Sequence, residues 1–309
     1  MKIFAAPLQG YTDSAWRYAH NAVFGPDGLP DAYFAPFLRI EKGDLRPRDL
    51  RDLDAGPDTT IPQIIFRDID EFDRLTSVII AGGHRTIDLN LGCPFPPQCH
   101  KGRGAAMIAR TDILRAVADR MEALPDISFS VKMRLGLDSP DEWRRSIAVL
   151  DAMPLTHITI HPRTARQQYK GELHMDEFGE LLGRLSTPVI FNGDIAAPAD
   201  IAVLADRYPA LAGVMTGRGL LTSPWLIAEY RSGEIWPRER RIAALLAMHT
   251  AIFDPYSHTL CGDTQILAKL LPFWEYPAAH FPAKLHKTLR KSRTLAAYIQ
   301  EIKKLGPKQ

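Results

Sequence analysis

The chain has 309 residues, of which 46% are hydrophobic and 24% are charged, as in an ordinary globular protein. Its three cysteines are too few for a disulfide framework, and no apolar run approaches the roughly 20 residues that a membrane span requires. The first residues, MKIFAAP, form a segment too short and too early interrupted to be a secretory signal. We therefore expect a cytoplasmic protein that has no contact with a membrane.

The net charge of +2 conceals an uneven distribution along the chain. From residue 231 onward there are 13 lysines and arginines against 6 acidic residues, whereas acidic residues outnumber basic ones before it. The excess is densest over residues 284–293. A basic patch attracts phosphates whatever the overall charge, although a charge run considered alone is more often a solvated helix face. The basic run is therefore either a contact with a polyanion or a solvated helix face.

Eight short apolar runs recur along the first 220 residues, and each is followed by a helical or loop segment. Continuous apolar runs are typical of parallel strands that helices cover from outside. Eight such units in this length predict an α/β fold, a closed (β/α)₈ or TIM barrel, in preference to a doubly wound open sheet. The predicted strands are Ile3–Pro7, Ala32–Phe37, Pro62–Phe66, Ile87–Leu91, Phe129–Arg134, His157–His161, Val189–Asn192 and Gly213–Thr216.

The pattern changes after residue 235, because no strand-like run follows. We therefore predict two domains, a catalytic barrel over residues 1–235 and a small all-helical domain over residues 236–309. The predicted helices of the second domain are Arg240–Phe253, Thr264–Trp274 and Pro282–Lys304.

Glycines follow the last two predicted strands, in Asn192-Gly193 and Gly217-Arg218-Gly219. In barrels of this kind the loops after strands seven and eight commonly bind phosphate, because glycines let backbone N–H groups approach the ligand. Arg218 adds a guanidinium that suits a phosphate. No Gly-x-Gly-x-x-Gly follows a strand, so a mononucleotide such as FMN fits better than a tightly held dinucleotide.

Lys132 interrupts the apolar fifth strand, where a surface lysine is not expected. Catalytic groups of barrel enzymes lie at the carboxyl ends of the strands. An ammonium there would stabilise the anionic reduced ring of a flavin. Lys132 is therefore a candidate flavin contact.

Cys93 follows the fourth strand in a Gly-Cys-Pro turn, close to Asn90. A cysteine at this place can be a thiolate nucleophile, a thiol acid or a small buried hydrophobe. The residues alone do not decide among these roles, because the pKa of the thiol depends on its surroundings. Cys93, Cys99 and His100 are near one another, but their spacing matches no standard zinc pattern, so we expect no metal site.

Seven motifs at the strand ends, considered together and in order, point to one protein family. The motifs are Ala6–Asp13, Gln63, Asp88–Pro94, Val131–Gly136, His161–Thr164, Asn192–Ile195 and Gly217–Gly219. In this order they resemble the motifs of the tRNA-dihydrouridine synthase family and cover nearly the whole barrel. No single motif is diagnostic, but the ordered set is highly specific.

The resemblance implies a reaction in which NADPH reduces bound FMN and the flavin N5 passes a hydride to C6 of a uracil. Cys93 is then the acid that protonates C5, while Asn90, Arg134 and Tyr169 contact the uracil. The FMN-binding residues that the resemblance implies are Pro7, Leu8, Gln9, Gln63, Lys132, His161, Asn192, Gly193, Asp194, Gly217 and Arg218.

The resemblance also implies a tRNA partner whose target uridine is flipped out of its stack. The basic C-terminal region would then contact the tRNA backbone. Within the family the chain looks most like the type that modifies uridine 16 of the D-loop. We also expect the protein to act as a monomer. The residues expected to orient the tRNA are Arg39, Lys269, Lys284 and Arg290.

Two alternatives remain at this point. Another FMN-dependent barrel oxidoreductase acting on a free pyrimidine, such as a dihydroorotate dehydrogenase, would explain the phosphate site and Lys132 but not the basic helical region. A non-catalytic tRNA-binding protein would explain that region but not the presence of Cys93, Lys132 and Asn90 together. One departure from the family pattern is Phe95–His100, where two prolines replace a more polar stretch.

Overall fold

The eight predicted strands form a parallel sheet that closes on itself, which confirms the barrel. The computed structural model describes residues 1–305, apart from the side chains of residues 285 and 286. Each barrel strand pairs in parallel with the next one along the chain, and the last pairs with the first. Two short strands that the sequence did not predict form an antiparallel hairpin between the second and third barrel strands. The strands are β1 Lys2–Ala5, β2 Ala32–Phe34, β3 Ile40–Glu41, β4 Asp44–Leu45, β5 Thr60–Ile61, β6 Gln63–Ile64, β7 Thr86–Leu91, β8 Ser128–Gly136, β9 Leu155–Thr164, β10 Val189–Asn192 and β11 Gly213–Thr216.

The third barrel strand is broken at Pro62, which has no N–H group to donate. Its first half, β5, pairs with β2, and its second half, β6, pairs with β7. The chain after β2 completes the ring, because the Leu38 N–H donates to the Gln63 carbonyl oxygen at 2.8 Å. The Leu38 carbonyl oxygen in turn accepts from the Ile65 N–H at 3.0 Å. One predicted strand is therefore two short strands joined at a proline.

Helices follow the barrel strands and turn one apolar face toward the core. In α5, for example, the buried residues recur at helical spacing, as Ile113, Leu114, Val117 and Met121. Short 3₁₀ segments lie at Gly104–Ala109, Glu142–Arg145, Leu271–Glu275 and Pro277–His280. The helices are α1 Ser14–Gly28, α2 Pro47–Asp54, α3 Ile69–Ala81, α4 Pro96–Cys99, α5 Thr111–Glu122, α6 Ile147–Ala152, α7 Met175–Arg184, α8 Pro198–Arg207, α9 Arg218–Thr222, α10 Leu226–Ser232, α11 Arg238–Thr259, α12 Asp263–Leu270, α13 Ala283–Lys291 and α14 Leu295–Lys303.

The C-terminal region from α11 onward is helical, as predicted, but its last predicted helix is wrong as a single element. The structure has two helices there, α13 and α14. Ser292 leaves the helical conformation, and the Thr294 hydroxyl then accepts from the Ala297 N–H at 3.3 Å, which caps α14. Periodicity alone could not reveal this break, because both helices share the apolar spacing.

The C-terminal helices pack on the barrel through α11, which lies against α1. Within the C-terminal region the Tyr298 hydroxyl accepts from Trp274 Nε1 at 2.7 Å and lies 2.8 Å from His249 Nε2. One apolar cluster runs through both parts of the molecule. The division at residue 235 stays a prediction, and residues 306–309 of the second predicted domain lie outside the described residues. Within residues 1–305, no helix is both long enough and apolar enough to cross a bilayer.

Candidate functional site

A cavity of about 390 Å³ opens at the carboxyl ends of the barrel strands. Ligands of barrel enzymes bind at this end, and the volume lies within the range of small-molecule sites. Fourteen of the residues that the sequence singled out line this one cavity. They are Pro7, Leu8, Gln9, Asn90, Cys93, Lys132, Arg134, His161, Tyr169, Asn192, Gly193, Asp194, Gly217 and Arg218.

The polar floor of the cavity comes from adjacent strands in register. Side chains two residues apart on a strand point to the same face, so Lys132 and Arg134 of β8 both line the cavity. In the parallel pairing Asn90 of β7 lies beside Lys132, and His161 of β9 lies beside Arg134. The strand register therefore gathers these four side chains although they are far apart in sequence.

Lys132 and His161 face the cavity in a strongly cationic environment. Burial, with a further contribution from Arg134, lowers the pKa of Lys132 to about 8. The Lys132 ammonium makes no hydrogen bond or ion pair with any described residue. Burial and the neighbouring cations hold the pKa of His161 well below its usual range, so its imidazole is neutral at neutral pH. An unpaired ammonium beside a neutral imidazole suits an anionic or electron-rich ligand.

Cys93 is held as a protonated thiol at the edge of the cavity. Burial raises the pKa of the thiol above its ordinary value, so the thiolate is disfavoured at neutral pH. The Asn90 side-chain oxygen fixes the turn, because it accepts from the Cys93 N–H at 2.8 Å and from the Gly92 N–H at 3.1 Å. Gly104, with φ of +60°, packs so closely that an added Cβ would lie 2.7 Å from the Cys93 carbonyl oxygen. Among the three open roles for Cys93, this environment disfavours the thiolate nucleophile.

The proline-containing segment after Cys93 is part of the packed structure. Residues 96–99 form the short helix α4, whose first two positions are the prolines that a helix start tolerates. Cys99 is buried and donates from Sγ to the Cys93 carbonyl oxygen at 3.3 Å. Phe95, in contrast, exposes 57% of its surface next to the thiol. The segment therefore holds the backbone of Cys93 in place through the bond from Cys99.

The turns after β10 and β11 form the other end of the cavity. Among the described residues, the backbone N–H groups of Gly193 and Gly217 donate to no protein acceptor. Gly219 allows the two turns to meet, because a Cβ there would lie 1.9 Å from the Ile195 carbonyl oxygen. Asn192 is fixed by donating from Nδ2 to the Met215 carbonyl oxygen at 2.7 Å. Free N–H groups on close-packed glycine turns are what a phosphate requires.

Asp194 pairs with two arginines at the same end of the cavity. Its carboxylate accepts from Arg163 and, at 2.7 Å, from Arg218. The bond from Arg163 lowers the pKa of Asp194, so the carboxylate is ionised at neutral pH. Asp194 itself has φ of +44°, a conformation that is uncommon outside glycine. The Arg218 guanidinium must therefore be shared between Asp194 and any bound phosphate.

Tyr169 lies over the mouth of the cavity between two guanidinium groups. The Cζ atoms of Arg218 and Arg134 lie 4.6 Å and 5.4 Å from the centroid of its ring. The side chain is 45% exposed. Its position suits contact with a planar ligand that enters the cavity.

Five of the residues that the sequence singled out do not line the cavity. Gln63 lies beneath it, fully buried, and its amide is bonded to Asp88 and Asn90. Arg39 pairs with Glu41 at 3.2 Å on the β3–β4 hairpin. The remaining three lie in the C-terminal region, where Lys269 is 3.8 Å from an Asp13 oxygen and Lys284 and Arg290 are exposed on α13.

Sequence reasoning missed two residues as members of the site, Asp88 and Arg163. Asp88 is a fully buried carboxyl below the cavity whose pKa burial raises to about 6. Arg163 is buried and bonds Asp194, and it also donates to the Gly171 carbonyl oxygen at 2.7 Å in the loop that carries Tyr169. Both belong to the motifs named in the sequence analysis. Asp88 lies two residues before Asn90, and Arg163 lies two residues after His161. The period of two along each strand was the signal that could have found them.

The family model and the curated relatives that match this chain point to one family. The chain matches the family model described as dihydrouridine synthase (Dus) over residues 4–260. A Bacillus subtilis protein named probable tRNA-dihydrouridine synthase 2 is 29% identical over 268 residues, with 82% of this chain and 78% of that protein covered. A Staphylococcus aureus protein named probable tRNA-dihydrouridine synthase is 30% identical over 268 residues, with 81% and 77% covered.

A solved structure supports the fold independently. Morphinone reductase in complex with tetrahydroNAD has a TM-score of 0.50 and 11% identity, with 76% of this chain and 88% of that chain covered. At such low identity the likeness concerns the barrel alone. The family match spans most of the chain and removes the non-catalytic alternative. The chain belongs to the dihydrouridine synthase family and is a flavin-dependent oxidoreductase.

Proposed function

We propose that this enzyme reduces the C5=C6 bond of a D-loop uridine in tRNA, with uridine 16 as the expected position. The observation that carries the proposal is the one cavity that brings Cys93 together with Lys132, Asn90 and Arg134. The names of the relatives, which are tRNA-dihydrouridine synthases, support a tRNA substrate. They weigh against a free pyrimidine, for which exposed cations on C-terminal helices have no use.

FMN fits the residues of the cavity. The free N–H groups of Gly193 and Gly217 would bind its phosphate, with Arg218 shared between the phosphate and Asp194. The unpaired Lys132 ammonium would bind the polar edge of the ring, and Gln63, buried beneath the cavity, would support this end of the FMN site through its bond to Asn90. The other residues that would hold FMN are Pro7, Leu8, Gln9, His161 and Asn192.

The flavin, when bound, supplies the hydride that C6 of the uracil receives, and NADPH is the reductant that we expect to restore it. The residues of this chain supply the proton and the geometry. The Cys93 thiol holds its proton at neutral pH and would give it to C5, after which the thiolate recovers a proton from water. A deprotonated cysteine could not do this, and the raised pKa keeps the thiol protonated at neutral pH.

Asn90, Arg134 and Tyr169 would orient the uracil. Asn90 and Arg134 offer N–H donors to the ring carbonyls, and Tyr169 covers the mouth of the cavity beside them. Arg134 already uses one N–H on the Thr164 carbonyl oxygen at 2.8 Å, which fixes its guanidinium in place. Orientation matters here, because C5 must face the thiol while C6 faces the source of hydride.

The substrate base must leave its stack to enter this cavity. We propose that the C-terminal region binds the surrounding tRNA through its exposed cations Lys269, Lys284 and Arg290. Arg39, which directly precedes β3 and is paired with Glu41, would help to orient the tRNA. Such an enzyme would work in the cytoplasm, as a monomer and without a metal. The residues from 236 onward would then serve as the tRNA-recognition domain.

The proposal is tested by mapping dihydrouridine in tRNA from a strain that lacks this protein. We expect one D-loop dihydrouridine to be missing and to return when the wild-type gene is restored, but not when the restored gene encodes Cys93→Ala. The position that disappears identifies the target. An unchanged dihydrouridine map in the deletion strain would contradict the proposed reaction, and loss at a position other than 16 would contradict only the assigned site.

A further inference from the structure

The buried carboxyl of Asp88 has no part in the reaction proposed above, yet it lies directly below the cavity. One of its oxygens accepts from Gln63 Nε2 at 2.6 Å, and the other accepts from the Ser130 hydroxyl at 2.6 Å. Lys132 is the cation that acts on it, but the two form no ion pair within the described residues. Burial disfavours the charge of this carboxyl, and the hydrogen bonds from Gln63 and Ser130 offset part of that cost.

A directed chain of hydrogen bonds runs from Asp88 to the turn that carries Cys93. A carboxylate can only accept, so Gln63 must turn its amide nitrogen toward Asp88. The Gln63 oxygen then faces the cavity side, where it accepts from Asn90 Nδ2 at 2.7 Å. The Asn90 oxygen accepts from the backbone N–H groups of Gly92 and Cys93. The acceptor at one end and the backbone donors at the other fix both amides in a single orientation.

This hydrogen-bond chain leaves one N–H group of Asn90 without a partner among the described residues. A side-chain amide has two N–H donors and two acceptor positions on its oxygen. Both acceptor positions and one donor of Asn90 are used by Gly92, Cys93 and Gln63. Asn90 is 8% exposed and lines the cavity, so the remaining N–H is what it offers there.

We propose that Asp88 is a positioning residue that acts through Gln63 to make Asn90 a pure hydrogen-bond donor toward the cavity. The part of this inference that concerns a base rests on the proposed function. A donor-only amide can donate to a ring carbonyl oxygen but cannot accept from a ring amino group, so Asn90 would favour uracil over cytosine at that edge. The preference for uracil depends on the buried hydrogen bonds that run from Asp88 to Asn90, because an amide that could turn over would bind either base.

Substitutions can separate the charge of Asp88 from its ability to accept a hydrogen bond from Gln63. Asp88→Asn removes the charge but can keep the direction of the chain, because the new amide can turn its oxygen to Gln63 and its nitrogen to the Ser130 hydroxyl. Asp88→Leu keeps the branched shape of the side chain but leaves no acceptor, so Gln63 is free to turn over. We expect Asp88→Asn to stay within about threefold of the wild type and Asp88→Leu to lose roughly tenfold or more in dihydrouridine formation.

A double-mutant cycle with Asn90→Ala tests whether Asp88 acts through Asn90. The assay uses the full-length, flavin-loaded protein, pre-reduced, with saturating tRNA, and flavin absorbance confirms that each variant is folded. In the Asn90→Ala background, Asp88→Leu should cause no further loss. Should Asp88→Leu fail to bind flavin, Gln63→Met breaks the same chain one bond later and should give the same loss, compared per bound flavin because Gln63 is itself one of the expected FMN residues. A merely structural carboxyl would not produce this coupling.

A second measurement tests the chain without tRNA. Alkylation of Cys93 by iodoacetamide, in a Cys261→Ser background, reports how firmly the Asn90 oxygen holds the turn. We expect Asp88→Leu and Asn90→Ala to change this rate by a similar factor, with no further change in the double variant, and Asp88→Asn to match the parent. Equal defects in Asp88→Asn and Asp88→Leu, or additive effects with Asn90→Ala, would overturn the proposal. A parent protein that forms no dihydrouridine would overturn the proposed function alone, since the alkylation rates do not depend on it.

Discussion

The mouth of the barrel and the C-terminal helices handle charge in different ways. At the mouth, Asp194 is paired with two arginines, and Asn90 spends three of its four hydrogen-bonding positions on the protein. On α13, Lys284 and Arg290 are exposed and form no salt bridge with a described side chain. The first region fixes its polar groups before a ligand arrives, whereas the second leaves its cations in water.

This difference indicates that the barrel mouth serves the reaction and that the exposed cations of α13 serve to attract the substrate. Polar groups that are held in place stabilise a reaction at one point in space, and small displacements there are costly. Exposed cations attract a phosphate backbone at long range, and their effect depends on salt more than on geometry. We therefore expect substitutions at the mouth to act on the reaction and substitutions on α13 to act on binding.

The two regions meet at the loop after β1, which lines the cavity with Pro7, Leu8 and Gln9. Tyr11 of this loop donates to a Glu275 carboxylate oxygen at 2.6 Å, and its ring meets that of Tyr276 edge to face. A few residues on, the Tyr256 hydroxyl donates to Asp13 at 3.3 Å. The helices that we expect to bind tRNA are therefore joined to one wall of the cavity by direct contacts.

The largest effect is expected from Cys93→Ala, which removes the proton donor and leaves the rest of the mouth intact. Dihydrouridine formation should fall by about 10²–10⁴-fold, the usual contribution of general acid catalysis. Flavin content and the rate of NADPH oxidation should stay as in the wild type, because the hydride source is untouched. The exposed Cys261 provides the control, and Cys261→Ala should be fully active. A fully active Cys93→Ala enzyme would remove the acid from our description of the mouth.

The next largest effect is expected from Gly219→Ala, which tests how tightly the turns after β10 and β11 are packed. A Cβ at this position would lie 1.9 Å from the Ile195 carbonyl oxygen, so the two turns must separate. We expect loss of most bound flavin and a Tm lowered by about 5 °C or more. Gly183→Ala is the matched control, because a Cβ there meets nothing within 4 Å and alanine favours α7. Equal flavin content in the two variants would show that the turns adapt easily.

The sequence was most informative about the barrel mouth. Apolar runs located the eight strands, and the rule that barrel sites lie at the carboxyl ends of strands placed residues as distant as Pro7 and Arg218 in one cavity. The rule works because parallel strands bring their carboxyl ends to one side of the sheet. It could not tell which side chains bind one another. Arg218, predicted as a phosphate ligand, is already paired with Asp194, and Gln63 lies below the cavity and not along its wall.

The failures of prediction have local physical causes. Pro62 lies inside an apolar run, and its missing N–H divides what looked like one strand into two. The hairpin that follows Arg39 has only two residues in each strand, too few for an alternating pattern to be recognised. Ser292 to Thr294 separate α13 from α14 within a segment whose apolar spacing suits one long helix. The predicted roles in binding FMN, NADPH and tRNA stay predictions, because side-chain geometry alone does not identify a ligand.

A smaller effect, confined to binding, is expected from charge reversal on α13. Lys284→Glu with Arg290→Glu should weaken binding of tRNA roughly tenfold near 0.1 M salt and reduce the salt dependence of the dissociation constant. Flavin content and NADPH oxidation should be unchanged. The matched control is Arg115→Glu with Arg207→Glu, which reverses two exposed charges on the barrel helices α5 and α8. If both double variants bind tRNA equally well, α13 is not part of the recognition surface.

The smallest effect is expected on stability, and it concerns His249 in the core of the C-terminal region. Burial lowers the pKa of His249 to about 4, and the Tyr298 hydroxyl, which accepts from Trp274, must donate to the unprotonated ring. The unfolded chain binds this proton near pH 6.5, so stability should be lost as the pH falls from about 6.5 toward 4. We expect Tm to fall by a few degrees between pH 7 and pH 5 in thermal unfolding followed by circular dichroism.

His249→Gln sharpens this test, because glutamine can accept from the Tyr298 hydroxyl but does not titrate. The decline in Tm should become shallower in this variant, and the part that persists should come from the other buried histidines, His20, His157 and His161, whose pKa values burial also lowers. An unchanged slope would exclude His249 as its source. If the barrel and the C-terminal region unfold in one transition, the substitution shifts that transition. If they are separate domains, it shifts only the transition of the helical region. The same experiment therefore decides whether the two regions, so different in their treatment of charge, are also separate in stability.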